Sequence, residues 1–258
     1  KSNSSLIKKL IKKVTKNISK KSNLIILSQV PPGFTRSIKW NRNKLYYQVE
    51  TLIFSQAQKR ALNPERIIVG KYSKNINKRY LYYLKKFQCP IVEMNYESSE
   101  LAKISINIFL ISTLTSTNIL SEICENLGAN WHSISTALRL DKRIGRYAYL
   151  KPGLGLSGGN LERDLETLKK LLSFNKLYKN YTSNLIKISS YRKDWIYKNV
   201  KNILLDKIKK KRIGILGLTY KEGTNSTKNS PSISFINKIY SNSKLSLNVF
   251  DPVIKKIN

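Results

Sequence analysis

The chain has 258 residues, 41% of them hydrophobic and 10% aromatic. That is room for one large domain or two to three small ones, and it excludes wholesale disorder. With 48 Lys and Arg against 15 Asp and Glu, the formal charge is +33. Two cysteines, Cys89 and Cys124, and one histidine, His132, exclude a disulfide scaffold and a zinc site, and we expect no metal.

The charge has two explanations. It favours a nucleic acid or an anionic surface as partner. Alternatively, it reflects compositional drift, since Lys, Asn, Ile and Tyr have AT-rich codons and no cluster of Arg and aromatic residues is present. Either way, we expect a preference for anionic ligands, including nucleotides. No run reaches membrane-span length and no signal peptide pattern begins the chain, so we expect a cytoplasmic protein with no membrane partner.

The first third of the chain predicts an α/β unit. A lysine-rich amphipathic helix at its start suits either an outer helix of such a unit or a membrane surface. The first strand stops at Ser28–Gly33, a Pro-rich loop at the carboxyl end, where open α/β sheets bind ligands. The patterns predict helices over 5–18 and 78–87 and strands over 24–27, 66–70 and, at an edge, 89–92.

The remainder predicts a helical middle section followed by a second α/β unit. A loop with three closely spaced glycines, Gly153, Gly155 and Gly158, interrupts the helices. No strand precedes it, so we interpret it as a flexible backbone loop that approaches a sugar or phosphate closely. The patterns predict helices over 98–127, 131–138, 162–174, 177–209 and 232–240, and strands over 212–218 and 247–251.

Few polar groups stand out before any resemblance is considered. Lys103 and Asn107 share one helix face and can stabilise an alkoxide, although on spacing alone a solvated helix face is the better explanation. Asp164 is expected near a helix start, where it could cap the dipole. Nothing local supports a role for Glu50. We expect Cys124 in the core, and we expect His132 to be a surface or packing residue rather than a catalyst.

Seven motifs in order resemble the UDP-glucose/GDP-mannose dehydrogenase family. The resemblance covers nearly the whole chain, with matching spacing. The family patterns are S-T-V-P-P-G, N-P-D-R-I, E-x-x-K-x-x-x-N, D-x-R-I-G, P-G-x-G-Y-G-G-S-C-F-P-K-D, G-L-x-F-K-x-x-T-D-D-x-R-x-S-P and D-P. They match residues 28–33, 63–67, 100–107, 141–145, 152–164, 217–231 and 251–252.

The resemblance implies an α/β fold in three parts. These are a partial Rossmann-like NAD domain (1–95), a central helical dimerisation domain with one long helix (96–176) and a partial C-terminal Rossmann-like UDP-binding domain (177–258). It further implies NAD as cofactor, a nucleotide-sugar substrate and a homodimer formed through the long helix. The family oxidises the C6 alcohol of the sugar to the acid in two hydride transfers, the second from a cysteine thiohemiacetal.

The resemblance also assigns roles to single residues. Lys103 and Asn107 match the oxyanion pair, Glu50 and Asp164 match the catalytic carboxylates, and Asn160 stands at the nucleophile's position. The residues that match the family's substrate contacts are Arg143, Lys151, Gly153, Gly155, Ser157, Tyr220 and Lys221. Those matching positions near NAD are Ser28, Gln29, Val30 and Lys228.

Departures from the family patterns limit the expected activity. Asn160 replaces the cysteine, and a carboxamide has no useful nucleophilicity. Lys228 replaces an arginine and cannot reproduce a bidentate fork. The first NAD-binding half and the end of the C-terminal domain are also missing from the pattern, so we expect a fragment or a degenerate member, with enzyme activity left undecided.

Two other functions stay open. One is a single-step dehydrogenase of β-hydroxy acids, which needs no cysteine, although the Gly-rich loop and the second α/β unit argue against it. The other is a basic protein without enzymatic activity, which binds nucleotides or nucleic acid or serves as a dimer-forming subunit. The charge favours this alternative, whereas the lack of a cluster of Arg and aromatic residues argues against it.

Overall fold

The computed structural model describes residues 4–201, 211–240 and 245–255. The chain forms two compact units, Lys1–Ile106 and Asn107–Asn258. The boundary lies inside one long helix, and each unit is described by itself below.

The first unit is built on a four-stranded sheet of order β1-β2-β3-β4. Strands β1 and β2 pair in parallel, β2 and β3 antiparallel, and β3 and β4 in parallel. Helix α4 leaves this unit after the last strand. The elements are α1 (Ser4–Asn17), β1 (Leu24–Ile26), β2 (Leu45–Gln48), α2 (Ala57–Leu62), β3 (Ile67–Gly70), α3 (Lys78–Lys85), β4 (Ile91–Met94) and the start of α4 (Tyr96–Leu127).

Strand β2 lies in a region for which no element is predicted from the sequence. Its residues Leu45, Tyr46 and Tyr47 are almost completely buried. The two tyrosines side by side break the apolar and polar alternation that marks a strand, because both faces of this sheet are covered. The antiparallel pairing of β2 with β3 also distinguishes the sheet from an all-parallel one.

The second unit holds the rest of α4, a helical section and a pair of parallel strands. One apolar cluster joins α4, α6, α7 and Leu156 of the Gly-rich loop, and another lies between the strand pair and α9. The elements are α5 (Trp131–Leu140), α6 (Asn160–Leu171), α7 (Lys176–Lys193), α8 (Trp195–Val200), β5 (Lys211–Leu216), α9 (Pro231–Ile239) and β6 (Leu245–Phe250).

Most predicted elements are confirmed to within a few residues, including the edge position of β4. The prediction of a single helix over 177–209 is wrong for residues 177–201, the part of this range that the structure describes. The range is divided at Asp194 into α7 and α8, and its last predicted residues lie outside the described ranges. The Asp194 backbone N–H donates to the Tyr191 and Arg192 carbonyls in a tightened last turn, which ends α7.

The expectation that no run reaches membrane-span length is also wrong. By length and composition, helix α4 could cross a membrane. In its most apolar stretch of 18 residues, 39% is buried inside the structure. The core helix of a soluble protein meets the same two criteria, so length and composition alone do not assign it to a membrane. Cys124 on this helix is buried, as predicted, and His132 is exposed, which supports the first of the two alternatives for that residue.

The end of β6 is fixed by one carboxylate. Asp251 accepts backbone hydrogen bonds from Leu218 at 2.6 Å and from Val253 and Ile254 at 2.8 Å each. These bonds, led by the one from Leu218, lower the pKa of Asp251 to about 2. Because the folded-state pKa lies below the unfolded value, the ionised group stabilises the fold above the unfolded pKa, and this contribution disappears as the pH falls toward 2.

We therefore expect Asp251→Asn to lower the stability of the chain at neutral pH and to flatten its pH dependence between about 4 and about 2. Urea unfolding across that range, with exposed Glu222→Gln as the control, measures the difference. Equal pH slopes for the wild type and Asp251→Asn would contradict the assignment.

Candidate functional site

A buried polar pair marks the base of the candidate site in the second unit. The Asn107 Nδ2 on α4 donates a hydrogen bond to the Asp164 Oδ2 on α6. Asp164 is 1% exposed, and the Arg163 Nε lies 3.9 Å from its other oxygen. A buried carboxylate needs such partners, since desolvation without them is costly. The pair fixes the orientation of the Asn107 carboxamide.

This geometry corrects the expectation that Asp164 begins a helix and caps its dipole. Helix α6 begins at Asn160, so Asp164 lies in its second turn and contacts another helix. Asn160 itself is exposed at the first helical position. Asn160, which the resemblance matches to the family's nucleophile, therefore lies one helical turn before Asp164, at the end of the Gly-rich loop.

The Gly-rich loop, residues 151–159, is fixed by groups from α4 and α7. Gly153 donates its N–H to Asn118 at 2.7 Å, and its carbonyl accepts from Arg192 Nε at 3.1 Å. Leu156 donates to the Ser189 hydroxyl at 2.7 Å. The chain that leads into the loop is held in the same way, with the Trp131 indole donating to the Leu150 carbonyl at 3.0 Å. The loop is thus a positioned surface, although its composition suggests flexibility.

The far end of the loop is clamped to the segment that follows β5. Gly158 donates its N–H to the Lys228 carbonyl at 3.0 Å, and its own carbonyl accepts from the Asn229 side chain at 2.6 Å. The Ser157 hydroxyl donates to the Tyr220 carbonyl at 3.3 Å. Gly158 has a φ of +77°, and a Cβ there would lie 2.9 Å from the Tyr220 ring. Glycine therefore suits this position, because it tolerates the left-handed backbone and leaves room for the Tyr220 ring.

Charged side chains surround this clamp. Glu162, in the first turn of α6, contacts the Asn229 amide and the Lys193 ammonium. The Lys228 ammonium lies against Gly159, and the Lys221 ammonium lies 5.6 Å from the centre of the Tyr220 ring. Lys151 is exposed at the loop's start. The cations place positive charge beside a backbone loop, as an anionic ligand requires.

Arg143 contacts Asp141. Its guanidinium is strongly exposed and forms a bidentate ion pair with Asp141, at 3.0 and 2.6 Å. The hydrogen bonds from Arg143 lower the pKa of Asp141. An exposed, pre-oriented arginine suits a contact with another molecule.

The other candidate residues lie in the first unit. Ser28, Gln29 and Val30 follow β1, and of these Val30 is buried and Ser28 is exposed. Glu50 is half-buried just after β2, and its carboxylate accepts from the Leu52 N–H. Lys103 is half-buried on α4. The structure thus places these residues within the first unit and groups the loop residues, Asn107 and Asp164 within the second.

One residue of the first unit has a role that the sequence analysis missed. Glu100 is completely buried, and its carboxylate accepts from Gly33 N at 2.6 Å and Thr35 N at 2.7 Å. Burial raises its pKa, and these hydrogen bonds oppose that rise. The glutamate therefore anchors the loop after β1 to helix α4. Its signal was present, since Glu100 opens the E-x-x-K-x-x-x-N pattern.

We expect Gly155→Ala to destabilise the second unit by about 2 kcal/mol or more, because Gly155 has a φ of +78° and a Cβ there would lie 2.4 Å from the Ser189 carbonyl oxygen. Gly153→Ala is the matched control, since a Cβ at Gly153 meets nothing within 4 Å, and its stability should stay within about 1 kcal/mol of the wild type. Urea unfolding of both variants measures this. Equal destabilisation would show that the loop is not positioned by these contacts.

Comparison with known proteins identifies relatives for the chain. Residues 97–190 match the family model described as UDP-glucose/GDP-mannose dehydrogenase family, central domain. UDP-glucose 6-dehydrogenase of Rickettsia prowazekii is 32% identical over 256 residues, which cover 94% of this chain and 58% of that protein. UDP-glucose 6-dehydrogenase 1 of Arabidopsis thaliana is 26% identical, and the match covers 92% of this chain and 53% of that protein. The chain spans less than two thirds of these relatives.

Solved structures share the fold. A UDP-D-ManNAc dehydrogenase from Pyrococcus horikoshii superposes with a TM-score of 0.79 at 20% identity, covering 97% of this chain and 62% of that one. A UDP-glucose dehydrogenase from Pyrobaculum islandicum superposes with a TM-score of 0.75 at 22% identity, covering 89% and 54%. The mixed α/β architecture is therefore Rossmann-like with a helical central region. The chain is similar to members of the UDP-glucose/GDP-mannose dehydrogenase family, and residues 97–190 match the model of that family's central domain.

Proposed function

We propose that the chain binds a nucleotide sugar in its second unit and belongs to a protein of the nucleotide-sugar 6-dehydrogenase type. The observation that carries this proposal is the clamp between the Gly-rich loop and residues 220–229. Backbone groups of Gly158 bond to both Lys228 and Asn229, so two segments far apart in sequence form one surface. Glycines and lysines there suit close approach by an anionic sugar nucleotide.

The chemistry that we assign to the site is limited to one hydride step. Asp164 orients the Asn107 carboxamide, which can then donate to an alkoxide that develops on the substrate. The family resemblance gives Lys103 the same task. Asn160 cannot form the thiohemiacetal that a second oxidation requires, so we propose no covalent intermediate. Alcohol–aldehyde interconversion is the reaction that these residues still support.

The proposed cofactor is NAD, which would supply the hydride acceptor. The position of the loop after β1 suits such a ligand. The loop follows the carboxyl end of a strand in a parallel pair, and open α/β sheets bind nucleotides at that end. Ser28 and Gln29 present polar groups there, and the buried Val30 together with Glu100 fixes the backbone. These are the residues that we expect to lie against NAD.

The first test is calorimetric titration of the chain with UDP-glucose and GDP-mannose at two salt concentrations, with UDP as the reference ligand. We expect binding that depends on the sugar and persists at high salt, because the fixed loop recognises shape as well as charge. Gly155→Ala should weaken it at least tenfold, whereas Lys187→Met, at an exposed position of α7, should not.

Two outcomes would contradict the proposal. Equal binding of every anion, lost at high salt, would mean that the +33 charge alone attracts ligands. Strong DNA binding with a steep salt dependence, in the absence of nucleotide-sugar binding, would favour the basic binding protein instead.

We also propose that the chain forms a homodimer through α4. This helix turns polar residues inward, with Thr117, Asn118 and Ser121 buried. Its opposite side exposes apolar residues at helical spacing: Phe109, Leu120, Ile123 and Leu127, of which the first and last are 76% exposed. A large apolar stripe of this kind is typical of a surface that another molecule covers, and the continuous helix offers a second copy the same stripe.

Light scattering at high salt should therefore give twice the mass of one chain. Ile123→Asp should shift the mass toward the monomer, because it places a charge in the stripe, whereas Leu62→Asp on α2 should not, although Leu62 is also exposed. A wild-type chain that is monomeric at high salt would contradict the dimer.

A further inference from the structure

The Gly-rich loop is joined to the long helix by one buried arginine that no motif identifies. Arg192, at the end of α7, is 5% exposed. Its Nε donates to the Gly153 carbonyl at 3.1 Å, and its Nη1 donates to the Glu122 carboxylate on α4 at 3.4 Å. Its Nη2 lies 3.8 Å from the Glu125 carboxylate. One guanidinium thus connects α7, α4 and the loop.

The partners of Arg192 are themselves held in place. The Glu122 carboxylate also accepts from the Tyr191 hydroxyl at 2.7 Å, and the Glu125 carboxylate accepts from the Trp195 indole at 3.0 Å. The Trp195 ring lies 5.0 Å from the Arg192 guanidinium carbon. The arginine therefore has little freedom to leave the Gly153 carbonyl, since a planar guanidinium fits two carboxylates and an aromatic face only in one orientation.

The peptide groups on both sides of Gly153 are fixed by this part of the unit. Asn118 on α4 accepts from its N–H, and Arg192 donates to its carbonyl. Three residues later, Ser189 on α7 accepts from Leu156. The loop conformation at its entrance is therefore set by α4 and α7, while the clamp to residues 228–229 holds its exit.

We propose that Arg192 is the positioning residue that keeps the Gly-rich loop in its nucleotide-sugar-binding conformation. The part about the ligand rests on the proposed function; the part about the loop does not. Arg192 is buried behind the loop and acts through the Gly153 carbonyl. Binding of a nucleotide sugar at the loop and the packing of α7 on α4 are thereby linked through one side chain.

The variants that test this are Arg192→Met and Arg192→Lys, with Lys187→Met as the matched control on the same helix, where Lys187 is exposed. Methionine retains packing volume and removes all donors. Lysine retains one cation, which can reach the carboxylates or the carbonyl, but it lacks the fork. If Arg192→Met fails to fold, Arg192→Lys carries the test alone.

The first readout is residue-resolved amide hydrogen exchange of the chain without ligand. In Arg192→Met, the amides of Gly153 and Leu156 should exchange about tenfold to hundredfold faster, because the loop loses a charged hydrogen bond. The amides of Ser234 and Tyr240 in and after α9 should keep their rates. Arg192→Lys should lie between, and Lys187→Met should match the wild type. A purely structural role would accelerate all these amides together.

The second readout is titration with UDP-glucose. Arg192→Met should raise its Kd about tenfold or more, with partial recovery in Arg192→Lys. Unchanged loop exchange in both arginine variants would overturn the proposal. Faster loop exchange with an unchanged Kd would overturn its link to binding. A wild-type chain that binds no nucleotide sugar would overturn the proposed function and that link, and the exchange data would still decide whether Arg192 holds the loop.

Discussion

The second unit depends on how the backbone of a glycine-rich loop is held. Glycine loses more conformational entropy on ordering than any other residue, so such a loop keeps one shape only when other groups fix it. Here Asn118 and Arg192 hold Gly153, Ser189 holds Leu156, and residues 228–229 hold Gly158. The buried side chain of Leu156 adds an apolar anchor. The fixing groups come from three places in the sequence, which are α4, α7 and residues 228–229.

This arrangement bears on Asn160, which the resemblance places at the nucleophile's position of the family. Position 160 is exposed at the start of α6, so an asparagine there disturbs neither the loop nor the buried pair of Asn107 and Asp164. The chemistry of the second oxidation needs a thiolate, whereas binding and a single hydride step need only the backbone and this polar pair. A substitution at position 160 can therefore remove a nucleophile without changing the conformation of the loop.

The sequence predicts most of the helices and the aliphatic strands, because their apolar residues recur with a clear period, but it misses the short helix α2. It misses β2, whose adjacent tyrosines are both buried, and it misses the helix break at Asp194, which follows from a local turn rather than from periodicity. Within the site, the family patterns locate Asn107, Asp164 and the loop. They do not locate Arg192 or Asn229, because these residues act through the backbone of distant segments, and such contacts leave no local pattern.

The most direct test of the account is backbone NMR of the deuterated chain titrated with UDP-glucose. We expect amide shifts concentrated in residues 151–159 and 219–229, with the loop after β1 unaffected until NAD is added. That result would show that the clamped loop forms the binding surface. Shifts spread over the lysine-rich surface, or confined to the first unit, would contradict it.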